Sequence, residues 1–296
     1  MKEIVVLSGK GGTGKTSIVG SFAALAQNKV LADCDVDAAD LHLILNPEVR
    51  ENHEFWSGQT AIIDVERCTQ CGLCQELCRF KAIVDCKVDP ISCEGCGFCF
   101  HICPVEAITM QENLSGEWFI SNTKYGPLVH ARLGIAQENS GKLVALVRQQ
   151  ARQLAEKAGF DCIISDGPPG IGCPVISSLS GAGLALLVTE PTLSGIHDLE
   201  RVLKVCRHFG VPALACINKC DVNEDNTRQI ESYCLSQGIE VAARIPFDNV
   251  VTEAIVQGLP VVEYSQGKVT SEIESLWKRI THTLERWKEM TSHANL

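Results

Sequence analysis

The chain has 296 residues, 45% of them hydrophobic, with 16 cysteines and a formal net charge of −10. That apolar fraction suits one large core, or a core with a small satellite, and excludes a disordered chain. The acidic balance excludes the overall attraction for phosphate backbones that non-specific nucleic-acid binding requires.

The first residues, Met1-Lys2-Glu3, pass straight into an apolar run with no room for a secretory leader. No later stretch approaches the roughly 18 apolar residues of a spanning helix, so a cytoplasmic protein is expected. Residues 4–7 read as a buried parallel strand, and from Thr16 onward the apolar positions have helical spacing. Between them, Gly9-Lys10-Gly11-Gly12-Thr13-Gly14-Lys15-Thr16 completes G-x-x-x-x-G-K-[ST] in its strand–loop–helix context. The glycines let backbone N–H groups converge on phosphates, Lys15 adds a point charge, and Thr16 offers a hydroxyl to Mg2+. Ser17 extends the expected nucleotide-binding set.

Next along the chain, "VLADCDVDAADL" ends a strand with Asp33 and Asp35. The cysteines follow. Cys68, Cys71, Cys74 and Cys78 repeat their spacing as Cys93, Cys96, Cys99 and Cys103-Pro104, the two-cluster bacterial ferredoxin pattern, in which the last cysteine of each run serves the other cluster. One 4Fe-4S cluster is therefore assigned Cys68, Cys71, Cys74 and Cys103, the other Cys93, Cys96, Cys99 and Cys78. Zinc ribbons use paired cysteines, and this spacing leaves ligands over. Arg79 stands where the pattern has proline, a departure expected to alter the turn and the local charge while removing no ligand. Glycines 72, 95 and 97 leave space for N–H groups near the sulfurs. The remaining cysteines (Cys34, Cys86, Cys162, Cys173, Cys206, Cys216, Cys220, Cys234) are scattered, several of them inside apolar strands, where a cysteine reads as a small buried hydrophobe. Two thiolate-ligated clusters would add about four negative charges.

After a helix over 142–157, "FDCIISDGPPGIG" is an apolar strand ending in Asp166, with Gly170 in the turn. Carboxylates at strand ends beside a phosphate loop suit metal-assisted phosphoryl transfer. The strands "LALLVTEP", "ALACINKC" and "VAARIPFD" alternate with helices such as 196–209, which predicts an α/β fold with a doubly wound, mostly parallel sheet. Asn218-Lys219-Cys220-Asp221 matches N-K-x-D, the guanine-reading motif of GTPases, and leaves the base open between guanine and adenine.

The form "KGGTGKT" resembles the deviant Walker A loop of the MinD and ParA group, which includes Mrp-type iron–sulfur carriers and the nitrogenase iron protein. The resemblance covers nearly the full length. It implies that Lys10 reaches across an ATP-dependent homodimer to the partner's nucleotide; the alternative is a solvated lysine on a loop. It places Asp35 where a carboxylate positions the attacking water, and Asp166 at the Walker B position that holds Mg2+ through water. Gly170 takes the switch II turn, and "IPFDNVVTEAIVQGLPVVEY", with Pro246 and Asp248, resembles the loop beside the base. The group commonly carries an Asn at position 218 and uses ATP, which favours adenine. Lys10, Lys15, Asp35 and Asp166 are thus the candidate catalytic residues. The domains expected are a MinD-like P-loop ATPase over 1–59 and 112–296 and an inserted small α+β ferredoxin-like domain over 60–111. Their flanks look like strand and hairpin pieces.

Three functions fit these features. One is an ATPase whose dimer rearrangement gates electron transfer through two clusters to an acceptor protein, as a homodimer or with a related ATPase. Another is an assembly or delivery factor for iron–sulfur or other metal cofactors, and the third is a redox-sensing switch of the MinD and ParA kind. No nucleic-acid or membrane partner is expected. The last helix has an apolar stripe of Ile273, Trp277, Ile280, Leu284 and Trp287, but its polar face mixes acidic and basic residues, so docking onto the protein body is expected. Cys173, seven residues past Asp166, is expected to be a packed thiol rather than a shared metal ligand, and the Mrp paired-cysteine motif is absent. His130 and Arg132 are expected to be structural, with contact to a partner or cluster as the alternative.

Overall fold

Strand β1 (Lys2–Ser8) is apolar on both faces. Ile4 and Val6 enter one core while Val5 and Leu7 enter another, as happens when helices cover a sheet from both sides. The computed structural model describes residues 2–134 and 140–293, with side chains through residue 286. In chain order β1 leads to α1 (Lys15–Leu25), β2 (Lys29–Asp33), α2 (Leu41–Leu45) and β3 (Glu48–Ile63). Short elements follow: α3 (Leu73–Glu76), β4 (Ile83–Val84), β5 (Lys87–Val88) and α4 (Phe98–Ile102). Then come β6 (Ile108–Thr123), β7 (Gly126–Leu133), α5 (Ser140–Ala158), β8 (Cys162–Pro169), α6 (Cys173–Leu179) and β9 (Leu184–Thr189). The chain closes with α7 (Leu193–His208), β10 (Ala213–Asn218), α8 (Glu224–Ser236), β11 (Val241–Ile245), α9 (Val250–Val256), α10 (Val261–Tyr264) and α11 (Lys268–His293).

The nine-stranded sheet has the order β11-β10-β9-β1-β8-β2-β7-β6-β3. Each recorded pairing from β11 through β7 is parallel. On one face α1, α2 and α11 close a core around Phe22, Leu31 and Ile164; on the other, α6, α7 and α8 pack on Val5, Leu187 and Ile217. A buried ion cluster ties the start of β1 to α5. Arg148 Nε and Arg152 Nε donate to the two oxygens of Glu3 at 2.6 and 2.8 Å, and Arg148 also donates to the carbonyls of Ser177 and Ser180 at the end of α6.

Two compact units are present. The first comprises residues 2–52, 118–132 and 140–293; the second is His53–Glu117 with Leu133 and Gly134. Limits of 60 and 111, drawn from where the cysteine pattern begins and ends, fall inside β3 and β6. Both are 16-residue strands that run unbroken from one unit into the other, so the division lies further out.

On α11, Ile273, Leu276, Ile280 and Leu284 are buried, and the Trp277 ring lies 5.0 Å from that of Phe22 on α1. The apolar stripe is therefore spent on the body of the first unit; Trp287, the last member of the expected stripe, lies outside the described side chains. No helix among the described residues is long and apolar enough to cross a membrane.

His130 on β7 has a packing role. Its ring stacks on Phe119 with centroids 5.0 Å apart, and Nε2 lies 2.9 Å from Ser121 Oγ. Burial, with the nearby charges of His42 and Arg132, pushes the imidazole down from 6.5 to about 4. The folded state holds the neutral form while the unfolded chain takes up a proton, so this contribution is present above pH 6.5 and is lost as pH falls toward 4. Between pH 7 and 4.5 the first unit of the wild type should lose on the order of 2 kcal/mol more stability than His130→Gln in urea unfolding. Equal losses would mean that His130 takes up a proton in the fold as readily as in the unfolded chain.

Candidate functional site

The polar residues expected at the nucleotide site lie toward the carboxyl ends of parallel strands, in the loops that follow them, or in the first turn of α1. Register brings the first ones together: Val6 of β1 faces Asp166 of β8, and Asp166 faces Asp33 of β2. The loop after β1 is held by Ser8, whose hydroxyl donates to the Lys10 carbonyl at 2.6 Å, and by Gly170 N, which donates to the Ser8 carbonyl at 2.9 Å. Gly9 has no room for a side chain, because a Cβ there would lie 2.2 Å from Asp198 Cβ. Gly14 has φ +89°, and a Cβ on it would lie 2.4 Å from Asn218 Nδ2. Gly11 and Gly12 are exposed at the loop tip.

Helix α1 begins at Lys15 with no side-chain cap, which leaves first-turn N–H groups available to an anion. Lys15 is buried, with Nζ 3.8 Å from Asp35 Oδ2. Asp33 Oδ1 accepts from Asp35 N at 3.2 Å, and its Oδ2 accepts from Leu41 N at 3.3 Å. Asp166 Oδ1 is buried without a hydrogen-bond partner, as is Thr13 Oγ1. Burial is the main reason that Asp166 is raised to about 6, against the pull of Lys15 and Thr16. Burial also raises Asp33, reinforced by the Asp166 charge, and raises Asp35 against the opposing Lys15. An uncapped helix start, a buried lysine and an unpartnered carboxylate oxygen fit a phosphate bound together with a divalent cation. Ser17 is half-buried in the first turn of α1.

The family model for the CobQ/CobB/MinD/ParA nucleotide binding domain matches residues 4–261. The chain belongs to this family. An uncharacterized protein of Methanocaldococcus jannaschii is 34% identical over 94% of the chain and 96% of its own length. An iron-sulfur cluster carrier protein of Pyrococcus abyssi is 24% identical over 49% of the chain and 54% of its own length. Among solved structures, the septum site-determining protein MinD of Pyrococcus horikoshii, complexed with Mg-ADP, superposes with a TM-score of 0.58 at 18% identity, over 94% of this chain and 95% of that one.

Three features of this CobQ/CobB/MinD/ParA domain depart from what its motifs alone suggest. Lys10 is not free: its Nζ pairs with Glu190 Oε1 at 2.5 Å and donates to Ser194 Oγ at 3.1 Å and Thr192 Oγ1 at 3.3 Å. Lys219 joins the same carboxylate at 3.2 Å. Burial works against the Glu190 charge, but the two lysines outweigh it and hold the carboxyl low. Second, Asn218 Nδ2 donates to the Thr13 carbonyl at 2.8 Å, and Asp221 Oδ1 accepts from Phe247 N at 2.7 Å, so both N-K-x-D side chains brace loops of the chain itself. Pro246 is half-buried in the loop after β11, where Asp248 Oδ1 accepts from Val250 N at 3.0 Å. Third, Cys173 is exposed at the start of α6 and is not a packed thiol; its neighbour on α5 is Gly141, which has no side chain to cover it. Glu190 escaped sequence reasoning, although the dipeptide Glu190-Pro191 at a strand end was a usable signal.

In the second unit, Cys68, Cys71, Cys74 and Cys103 line one cavity, which Cys86 also lines. Cys78, Cys93, Cys96 and Cys99 line another, which Cys74 also reaches. The cysteine repeat extends to the backbone. Gln70, Gly72 and Lys81 in the first run and Gly95, Gly97 and Glu106 in the second, each equally far past its first cysteine, all have positive φ. Arg79 does not alter the turn: Lys81 N bonds to the Cys78 carbonyl at 3.1 Å, just as Glu106 N bonds to that of Cys103 at 3.2 Å. Gly95 is required where it stands, since a Cβ there would lie 2.2 Å from the Gln59 carbonyl oxygen. Backbone N–H groups of Gln70 and Ala107 point at the sulfurs of Cys68 and Cys103, at 3.4 and 3.3 Å. Among the described residues no group of three or more His, Cys, Asp or Glu side chains is placed to hold a single metal ion; a four-iron cluster instead takes each thiolate at a separate iron.

The unpartnered Asp166 predicts a trade between stability and binding. Asp166→Asn removes a buried charge next to Asp33 and Asp35, so the ligand-free variant should melt several degrees higher than wild type. Nucleotide binding that depends on Mg2+, measured calorimetrically, should fall at least tenfold. A variant that melts lower would show that the Asp166 charge is satisfied in the fold.

Proposed function

We propose that the chain is a Mg2+-dependent ATPase of the MinD and ParA kind whose cysteine unit carries two 4Fe-4S clusters, and whose nucleotide state governs electron transfer to an acceptor protein. The observation that carries the iron–sulfur part is that Cys68, Cys71, Cys74 and Cys103 line one cavity and Cys78, Cys93, Cys96 and Cys99 another, the pairing that ferredoxin spacing requires, with Cys74 reaching both. A second observation is energetic. The apolar side chains buried in His53–Glu117 are Phe55, Ala61, Ala82, Ile83, Ala107 and Ile108, while Trp56, Val65, Phe80, Ile91 and Phe98 are exposed. So small a core does not hold a unit of this size without staples. When bound, the clusters would supply one-electron redox chemistry.

At the nucleotide, the N–H groups of residues 11–16 and Lys15 would take the phosphates, and Thr16 with Asp166 would hold Mg2+. Lys15 in this state is shared with Asp35. A phosphate that captures Lys15 frees the Asp35 carboxylate to orient the attacking water. Adenine is favoured because Asn218 and Asp221 are already engaged within the chain. Lys10 serves the nucleotide of a partner subunit, a second copy or a related ATPase, whose phosphates must outcompete Glu190 for it. The route of coupling is covalent: Asp33 accepts from the first residue of α2, and α2 leads through two residues into β3, which enters the cysteine unit. Cluster delivery is the alternative, supported by the relative named an iron-sulfur cluster carrier protein.

Lys15→Ala should lose nucleotide, and Asp35→Ala should bind ATP without turnover. Lys10→Ala should bind ATP yet fail to dimerise in light scattering, with turnover reduced at least a hundredfold. Normal turnover in Lys10→Ala would leave this lysine a surface charge.

Removing iron with a chelator should expose the second unit to protease while the first still melts cooperatively. Addition of MgATP should shift the reduction potential or the rate of electron transfer to a dye acceptor. No change in either rules out the coupling, and loss of iron to an apo-protein on ATP addition favours delivery.

A further inference from the structure

Cys86 belongs to no motif, yet it stands at the first cysteine cavity. Its sulfur is 3.8 Å from that of Cys68, and it lines the cavity together with Cys71, Cys74 and Cys103. Its backbone position is unusual for a cysteine. Ile83 pairs with Val88 and Val84 with Lys87, so Asp85 and Cys86 are the two turn residues of a hairpin. Their φ values are +48° and +58°. That is the left-handed turn in which Asn-Gly is the preferred pair, because glycine escapes the Cβ strain. A cysteine in the glycine position sacrifices stability, and strain kept at one residue points to a use for its side chain. The turn is also fastened where it stands: Asp85 N donates to Gln75 Oε1 at 2.9 Å, and Gln75 is on α3, the helix that carries Cys74.

From this geometry we infer that Cys86 is a spare thiolate ligand, able to replace Cys68 on the iron that Cys68 holds. The inference rests on the iron–sulfur reading of this unit. In the exchange, an iron–sulfur bond forms to Cys86 and the one to Cys68 breaks, and the Cys86 proton is transferred to Cys68. No electron enters or leaves. The exchange also changes the environment of the ligating sulfur, since the Gln70 N–H that points at Cys68 has no counterpart on Cys86 among the bonds recorded there. The first cluster would thus have two ligand states, while the second cavity is lined by no cysteine outside the motif.

The test uses the full chain purified without oxygen, and reads iron per chain and alkylation of each cysteine by mass spectrometry. Wild type should hold about eight irons, with Cys86 open to iodoacetamide. Cys68→Ala should keep nearly all of that iron, and Cys86 should become protected. Cys86→Gly, which relieves the turn, should keep the iron and melt no lower than wild type. The double variant Cys68→Ala/Cys86→Gly should lose about half of the iron. If Cys68→Ala alone loses as much iron as the double variant, or keeps it with Cys86 still open to alkylation, the spare-ligand assignment fails. A wild type that holds no iron would instead overturn the iron–sulfur reading, and the assignment with it.

Discussion

Asp33, Asp35 and Asp166 are packed together at the carboxyl ends of β2 and β8 with one buried lysine between them and the loop after β1. Three carboxylates in so little water do not all stay charged unless cations or hydrogen bonds compensate them. Lys15 reaches Asp35, two backbone N–H groups serve Asp33, and one oxygen of Asp166 is left without a partner. Much around them serves this constraint. The glycines of the loop keep side chains out, the start of α1 offers its N–H groups, and the sheet register sets the carboxylates opposite one another. A cation and a polyphosphate would supply what this corner of the fold lacks.

Glu190 performs the matching task on the other side of the loop. It neutralises Lys10 and Lys219 together, and Lys219 also donates to the Gly12 carbonyl at 3.2 Å. Lys219 itself has positive φ, a strained state for a lysine. One carboxylate therefore joins the tip of the phosphate loop, the segment after β9 and the segment after β10. Lys10 thus has an internal partner, and any other anion must compete with Glu190 for it.

The cysteine unit follows different physics. Its helices are four and five residues long, too short to be stable by themselves, and its large apolar side chains are mostly at the surface. Local backbone devices hold its form: paired positive-φ residues in the two runs, a glycine pressed against β3, and a strained hairpin turn tied to α3. These features place sulfurs around cavities rather than pack a core.

Much of the nucleotide site was legible because it is local. A strand, a glycine-rich loop and a helix start are adjacent in sequence, and their hydrogen bonds follow from φ freedom and an uncapped helix. Which motif cysteines line a common cavity was largely legible for a similar reason, since a repeat of fixed spacing constrains which sulfurs lie near one another, although Cys74 reaches both cavities. Acidic residues at the ends of apolar strands marked Asp33, Asp35 and Asp166, but not that Asp35 would lean on Lys15. The capture of Lys10 by Glu190, the use of Asn218 and Asp221 as internal braces, the exposure of Cys173 and the approach of Cys86 to Cys68 all depend on segments far apart in the chain, or on a turn whose direction no periodicity records. Sequence by itself determined which chemical groups each strand end and turn would present. Tertiary structure alone decided which of them meet, because an ion pair or a shared cavity depends on distances that strand order and register set, and those emerge only when the sheet is assembled.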